Sequence, residues 1–247
     1  MGFSRGPKVV TDGLVLALDA ANPKSYPGSG TTWSDLSGNG NNGTLINGPT
    51  FDSGNNGSIV FDGVDDYTII NGNPDVDGVN NFTVYAWFNK NTGGSIFSKR
   101  AGCPDAGVSP GNNRSIQLSV NVGGDLSFIY PIGTGGSGPA GRNAISVVET
   151  GIISNNEWTF VAVTFDSSNV ILYKNGQEVH RETPAVSSIL KSDQFLRIGT
   201  SWVYCGRDNS PSSLFNGDIS VIVFYNKTLT PQEVLQNFNA TKSRYGL

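Results

Sequence analysis

Short runs of apolar and β-branched residues recur between clusters of Gly, Asn and Asp from Leu14 to Tyr225. Runs of this kind, closed by turn residues, predict strands. The clearest are Leu14–Asp19, Ser58–Phe61, Tyr67–Ile70, Phe82–Asn89, Ser95–Lys99, Ser115–Val120, Leu126–Tyr130, Trp158–Phe165, Val170–Lys174, Phe195–Ile198 and Ile219–Tyr225. Apolar and polar positions alternate along them, which predicts sheets with one buried face. Asn175-Gly176 and Gly123-Gly124 each stand between two such runs and accept the positive φ of tight hairpin turns, so the strands they join pair antiparallel. No compositional break marks a linker, so residues 13–229 read as one domain preceded by an arm over 1–12.

The period changes once, near the end. In Thr230-Pro231-Gln232-Glu233, Thr230 can cap a helix, Pro231 suits its first position and Glu233 can close a capping box. Val234, Leu235 and Phe238 then form one apolar face. Residues 230–247 are expected to be a short helix and tail clamped to the sandwich edge, because so short a helix needs tertiary contacts.

Composition agrees with a turn-rich all-β chain: Gly is the commonest residue at 32, Pro adds 12, and charged residues are 15% of 247. A chain of this length buries a sizeable core without metal or disulfide support. The formal net charge is −4 and no Lys/Arg cluster occurs, which argues against nucleic acid and anionic membranes as partners. The first eight residues lack the apolar core of a signal peptide and no run reaches membrane-spanning length, so a soluble, cytosolically made product is expected. Cys103 and Cys205 sit in Gly-, Pro- and Asp-rich surroundings without a Cys-x-x-Cys motif. They read as two free thiols, with a disulfide between them as the alternative.

Several motifs occur in a fixed order: DGLVLALDA, TTWSDLSGNGNNGTLINGPTF, SIVFDGVDDY, FTVYAWF, SIFSK, NNEWTFVAVTFD, VILYKNGQEV, FLRIGTS and FNGDISVIVFYNKTLTPQEV. This series resembles the laminin-G-like branch of the concanavalin A-like lectin/glucanase superfamily over nearly the whole chain. The resemblance implies an antiparallel two-sheet jelly-roll sandwich, one sheet convex and one concave, with the concave face and rim loops open to ligands. Such folds carry lectins, glycosidases and purely structural domains, so function must be argued from the site. The opening GPKVVTDGLVLALDAANPKSYPGSGTTW and the ending QNFNATKSRYGL further resemble LamG-like structural proteins of tailed phages.

Glycosidases place two carboxyls across the scissile bond, and in this superfamily they typically stand as Glu-x-Asp-x-x-Glu on one strand. None of Glu149, Glu157, Glu178, Glu182 and Glu233 has such a partner. The sole histidine, His180, lies in a polar stretch and reads as structural. Gly136-Ser137-Gly138-Pro139-Ala140-Gly141 has dinucleotide-loop spacing, but Asn143–Val148 after it reads as a strand where phosphate binding needs a helix. Asn73–Gly78 opens like an EF-hand loop, yet Val84 stands where the closing Glu belongs.

For calcium the oxygen-rich candidates are Asp62, Asp65, Asp66 and Asp218. The resemblance singles out Asp62 with Asp218, because related folds often hold one structural calcium near the N-terminal strands and the last strand. The stretches Cys103–Asn113, Gly133–Arg142 and Trp202–Ser212 read as long loops, the usual place for binding on a rigid sandwich. They and their flanks hold Arg100, Arg114, Arg142, Trp202, Tyr204, Arg207 and Asp208. Sugar recognition uses an aromatic platform beside planar hydrogen-bonding groups, which Trp202, Tyr204, Arg207 and Asp208 offer. The alternative is that Trp202 and Tyr204 pack under their own loop.

These readings lead to a non-catalytic virion structural protein, on capsid, tail or fibre, assembled in host cytoplasm. It is expected to dock on other virion proteins, to bind glycans, and to be capable of homo-oligomerising. The alternatives are a free-standing lectin or adhesin and, residually, a glycoside hydrolase.

Overall fold

The computed structural model describes residues 7–54, 57–72, 74, 76, 78–99, 101–102, 116–131, 144–189, 191, 194–205 and 208–247; for 101–102, 203–205 and 208–209 it describes the backbone. The strands in chain order are β1 (Leu14–Asp19), β2 (Thr32–Trp33), β3 (Gly43–Ile46), β4 (Thr50–Asp52), β5 (Ser58–Asp62), β6 (Tyr67–Ile70), β7 (Phe82–Ser98), β8 (Ala101–Gly102) and β9 (Gln117–Val120). They continue with β10 (Leu126–Pro131), β11 (Ala144–Glu149), β12 (Trp158–Phe165), β13 (Val170–Lys174), β14 (Gln177–Glu182), β15 (Arg197–Ile198), β16 (Ser201–Cys205), β17 (Asp208–Ser212) and β18 (Asn216–Tyr225). Helix α1 (Pro231–Thr241) and a 3₁₀ turn over Lys242–Tyr245 end the chain.

Two antiparallel sheets share one strand. The first runs β14-β13-β12-β7-β18, with β1 and β5 end to end along the far edge of β18 and β4 outside β5. The second runs β11-β10-β9-β7-β15-β6-β3-β2. The runs Phe82–Asn89 and Ser95–Lys99, which the pattern predicts as two strands, are one 17-residue strand that crosses from sheet to sheet. Its first part pairs with β12 and β18, its last part with β9 and β15. The crossing is made at Gly93-Gly94, where Gly94 has φ 133° and a Cβ would fall 2.3 Å from the Leu214 carbonyl oxygen. Only glycine has both the conformation and the room.

The core between the sheets is apolar and aromatic, with Trp33, Phe61, Phe82, Phe88, Phe97, Phe128 and Phe224 all buried. The first sheet is buried on its other face too, which corrects the one-face expectation. Tyr85, Trp87, Phe160, Tyr173, Val221, Val223 and Tyr225 form a second cluster under Val10, Val234 and Phe238. Unbroken runs such as FTVYAWF and ISVIVFY put an apolar residue on both faces, and a sheet so built must be covered twice. Helix α1 therefore lies across the sheet face and not at its edge. Its capping box is formed as expected, with Glu233 N donating to Thr230 Oγ1 at 3.2 Å and Thr230 N donating to Glu233 Oε2 at 2.8 Å. Beyond it Tyr245 stacks on Trp87 with ring centroids 4.0 Å apart, and Trp87 Nε1 donates to Thr241 Oγ1 at 2.8 Å.

The stretch expected to be a loop from Trp202 to Ser212 is instead the hairpin β16–β17, registered Trp202↔Pro211 and Cys205↔Asp208, with β8 beside β16. In Ser-Trp-Val-Tyr-Cys the large residues suit a strand, and the Pro and Ser residues after it only blur the pattern. Both expected hairpins form, β9 with β10 and β13 with β14; Asn175 and Gly176 take φ 49° and 77°.

Candidate aromatic and guanidinium binding face

On the second sheet, Ile198, Thr68 and Phe97 point into the sandwich, so their alternates Arg197, Ile69, Tyr67 and Ser98 point outward. Arg197 lies between Ile69 on one neighbour and Ser98 on the other. After Ile198 the chain reverses at Gly199, φ 81°, whose missing Cβ makes room for the Phe61 ring. Ser98 Oγ donates to the Thr200 carbonyl at 3.0 Å and fixes the reversal. Strand β16 then carries Trp202 over Arg197.

The result is a compact group. Arg197 Cζ lies 4.3 Å from the centre of the Trp202 ring, within cation–π range. Tyr67 meets the Trp202 ring edge-on at 5.7 Å. Phe195, on the same face as Arg197, is 49% exposed, large for an aromatic side chain beside a buried cluster. Arg197 itself is 6% exposed. Burial pushes its guanidinium below the usual arginine range, partly offset by Tyr67. Nη1 donates to the Phe195 carbonyl at 3.4 Å, and Nε has no hydrogen-bond partner among the described residues. Chemically, the face offers rings for stacking and a cation whose donors are incompletely used.

Of the residues proposed from sequence, Trp202 is therefore part of a cluster, half-buried and packed on Arg197 and Tyr67. Tyr204 and Asp208 lie on the same hairpin by their backbone, while their side chains are outside the described residues. So are Arg100, Arg114, Arg142, Arg207, Cys103 and the Cys205 side chain, and with them any Cys103–Cys205 bridge. Sequence reasoning misses Arg197, Tyr67 and Phe195, though an Arg between Leu196 and Ile198 in a strand run marks a charge on its outward face.

Asp62, Asp65 and Asp66 do converge, with one carboxylate oxygen of each within 4.8 Å of the others. Asp62 Oδ1 accepts from the Val64 amide at 2.7 Å, which with further amides holds its carboxyl below the usual range. Burial, joined by Asp62 and Asp65, pushes Asp66 up. Carboxylates on a turn are hard-cation donors in kind, and a cation would relieve their repulsion; three of them leave most of a calcium shell to carbonyls and water. Asp218 stands apart from this group: it accepts from Ser58 Oγ at 3.1 Å, and burial, with Asp52 nearby, pushes its carboxyl up. His180 lies between Glu149, 3.2 Å from Nδ1, and Glu182, 3.6 Å from Nε2, where edge strands β11 and β14 of the two sheets meet.

Comparison with known proteins agrees with this architecture. Residues 61–235 match a family model described as Laminin_G_3, concanavalin A-like lectin/glucanases superfamily. No curated protein matches the chain by sequence at a significant level. Among solved structures, the chain is similar to the binding domain of botulinum neurotoxin serotype D, with 15% identity, a TM-score of 0.65, and 93% of this chain against 52% of that one covered. It is also similar to a structure of botulinum neurotoxin type C, whose cell entry is dependent upon interaction with two ganglioside molecules, with 16% identity, a TM-score of 0.67, and 94% against 52% covered. A third is the binding domain of botulinum neurotoxin DC in complex with rat synaptotagmin II, with 14% identity, a TM-score of 0.66, and 94% against 52% covered. The chain thus spans about half the length of these domains, and the likeness shows the fold. Among the described residues no helix is long and apolar enough to cross a membrane.

Proposed function

Since the chain belongs to the concanavalin A-like lectin/glucanases superfamily, we propose that it is a non-catalytic binding module that takes glycans on the outward face of its second sheet. One observation carries the reading: Trp202, Tyr67 and Arg197 converge there beside the exposed Phe195. Aromatic rings cover the apolar face of a sugar, and a guanidinium meets its oxygens. The family admits lectins, and the ganglioside dependence stated for the type C toxin is in keeping with a sugar-binding role on this fold. Purified protein on a glycan array is expected to bind at least one glycan class saturably, and Trp202→Ala to weaken that binding about tenfold, the worth of one good aromatic anchor. Absence of any saturable binding, or binding indifferent to Trp202→Ala, refutes the reading.

The wider setting we propose is the particle of a tailed phage, with this module on capsid or tail and docked on other virion proteins. It is supported by the resemblance of the opening and closing segments to LamG-like structural proteins of such phages. Purified particles of the source virus are expected to contain the chain, and particles without it refute the setting. To the Asp62–Asp65–Asp66 cluster we assign a structural calcium ion, which by binding only the native state raises the melting temperature. A Tm unmoved by calcium and by chelator refutes that assignment.

A further inference from the structure

Arg197 bears on what kind of glycan this face takes, and the inference rests on the reading above. A guanidinium stays charged in proteins, and burial without a counter-charge is strongly disfavoured. The other arginines whose side chains are described have carboxylates: Arg244 meets Asp19 at 2.7 and 2.9 Å, and Arg181 meets Glu178 at 2.6 and 2.8 Å. Arg197 is more deeply buried than either and has none among the described residues. Among the described residues its polar contacts are one long bond to the Phe195 carbonyl and the face of Trp202, and its Nε has no partner there. The open surface at Phe195 lies two residues away on the same face.

We propose that Arg197 is the anion-recognising group of this face, and that the ligand is an acidic sugar. Its carboxylate would take the unused guanidinium donors, and its ring would lie against the Phe195 and Trp202 side chains. A planar fork of N–H donors matches a carboxylate in a way an ammonium does not, and the neighbouring rings suit a pyranose better than a bare anion. The protein supplies the cation and the apolar floor; the ligand supplies the missing charge.

The test uses the whole chain and three acidic sugar probes, a trigalacturonate, a methyl glucuronide and N-acetylneuraminic acid, each compared by calorimetry with its own methyl ester. The ester keeps the ring and removes the charge. At least one acid is expected to bind about tenfold or more tighter than its ester, as a charge-assisted bidentate contact implies. Arg197→Met, of similar volume and no charge, is expected to bring acid and ester within twofold of each other. It should fold with a Tm equal to or above the parent, because an unpaired buried charge has been removed. Arg197→Lys is expected to keep charge and lose most of the preference. Acids and esters binding alike, or a preference that survives Arg197→Met, overturns the inference while leaving glycan binding intact. An Arg197→Met chain with a markedly lower Tm assigns the residue a packing role and overturns it as well. Failure of every glycan on the array refutes the underlying reading instead.

Discussion

Substituting Gly94 by Ala tests whether β7 serves both sheets through a glycine crossing. The added Cβ would lie 2.3 Å from the Leu214 carbonyl oxygen and 2.5 Å from Phe215 Cα, both backbone atoms that cannot swing aside. The residue would also have to hold φ 133°. A conformation that unfavourable costs about 1–3 kcal/mol, and forcing backbone apart in a packed region costs roughly as much again, about 1–3 kcal/mol. The expected loss is therefore about 2–6 kcal/mol from a total that, for a domain, is typically about 5–15 kcal/mol. Gly151→Ala is the control, since Gly151 has φ 65° and an added methyl there would meet no heavy atom within 4 Å, leaving only a left-handed penalty of about 1–2 kcal/mol. Urea unfolding of the three proteins, followed by fluorescence and circular dichroism, gives the differences directly if the slopes agree. If Gly94→Ala costs no more than Gly151→Ala, the crossing is not where or what the structure shows.

Two further outcomes follow from the same geometry. Tyr245 stacks on Trp87, lies 4.8 Å from Trp158 by ring centroid and donates to Ser220 Oγ at 2.9 Å; Tyr245→Ala is expected to cost about 2–4 kcal/mol, below the loss for a fully buried ring, and to shift tryptophan emission. A loss under about 0.5 kcal/mol, within the range of ordinary surface changes, would mean the C-terminal tail does not seat on the sheet. Asp218 has a folded-state carboxyl raised above its unfolded value, mainly by burial, so its ionised form weakens the fold at neutral pH. The stability its neutral form allows is fully present below the unfolded pKa and lost as pH rises through the folded one. Asp218→Asn, which keeps an acceptor for Ser58 Oγ, is accordingly expected to raise Tm at pH 7, with the gain vanishing below about pH 4. A lowered Tm at pH 7 in the absence of calcium contradicts this.

Strands, hairpins and helix cap are legible in the sequence because each is a local pattern. Asn175-Gly176 between two apolar runs specifies a turn wherever it occurs, and Thr230 to Glu233 specify a helix start. The sharing of β7 is not legible, since Gly93-Gly94 between two strand runs reads equally as a turn. Nor is the double burial of the first sheet: FTVYAWF passes for alternation, yet Tyr85 and Trp87 form a second apolar face, covered by Val10 of the N-terminal arm and by the C-terminal helix and tail. The site is half visible. Trp202 stands out as an aromatic in an expected loop, but Arg197 and Tyr67 belong to strands distant in sequence from one another, and their meeting depends on sheet order. Asp62, Asp65 and Asp66 can be found together because they are neighbours in one turn; Asp218, joined to Asp62 by analogy, faces Ser58 and Asp52 instead.

The central claim is that the outward face around Trp202 is where this domain meets its ligand. Amide chemical-shift mapping of the isotope-labelled protein, titrated with the glycan selected from the array, tests it most directly. Saturable shifts confined to residues 67–70 and 195–202 are the predicted result. Shifts centred on the helix-covered face of the first sheet or on the Asp62–Asp66 turn, with 195–202 unmoved, would contradict it.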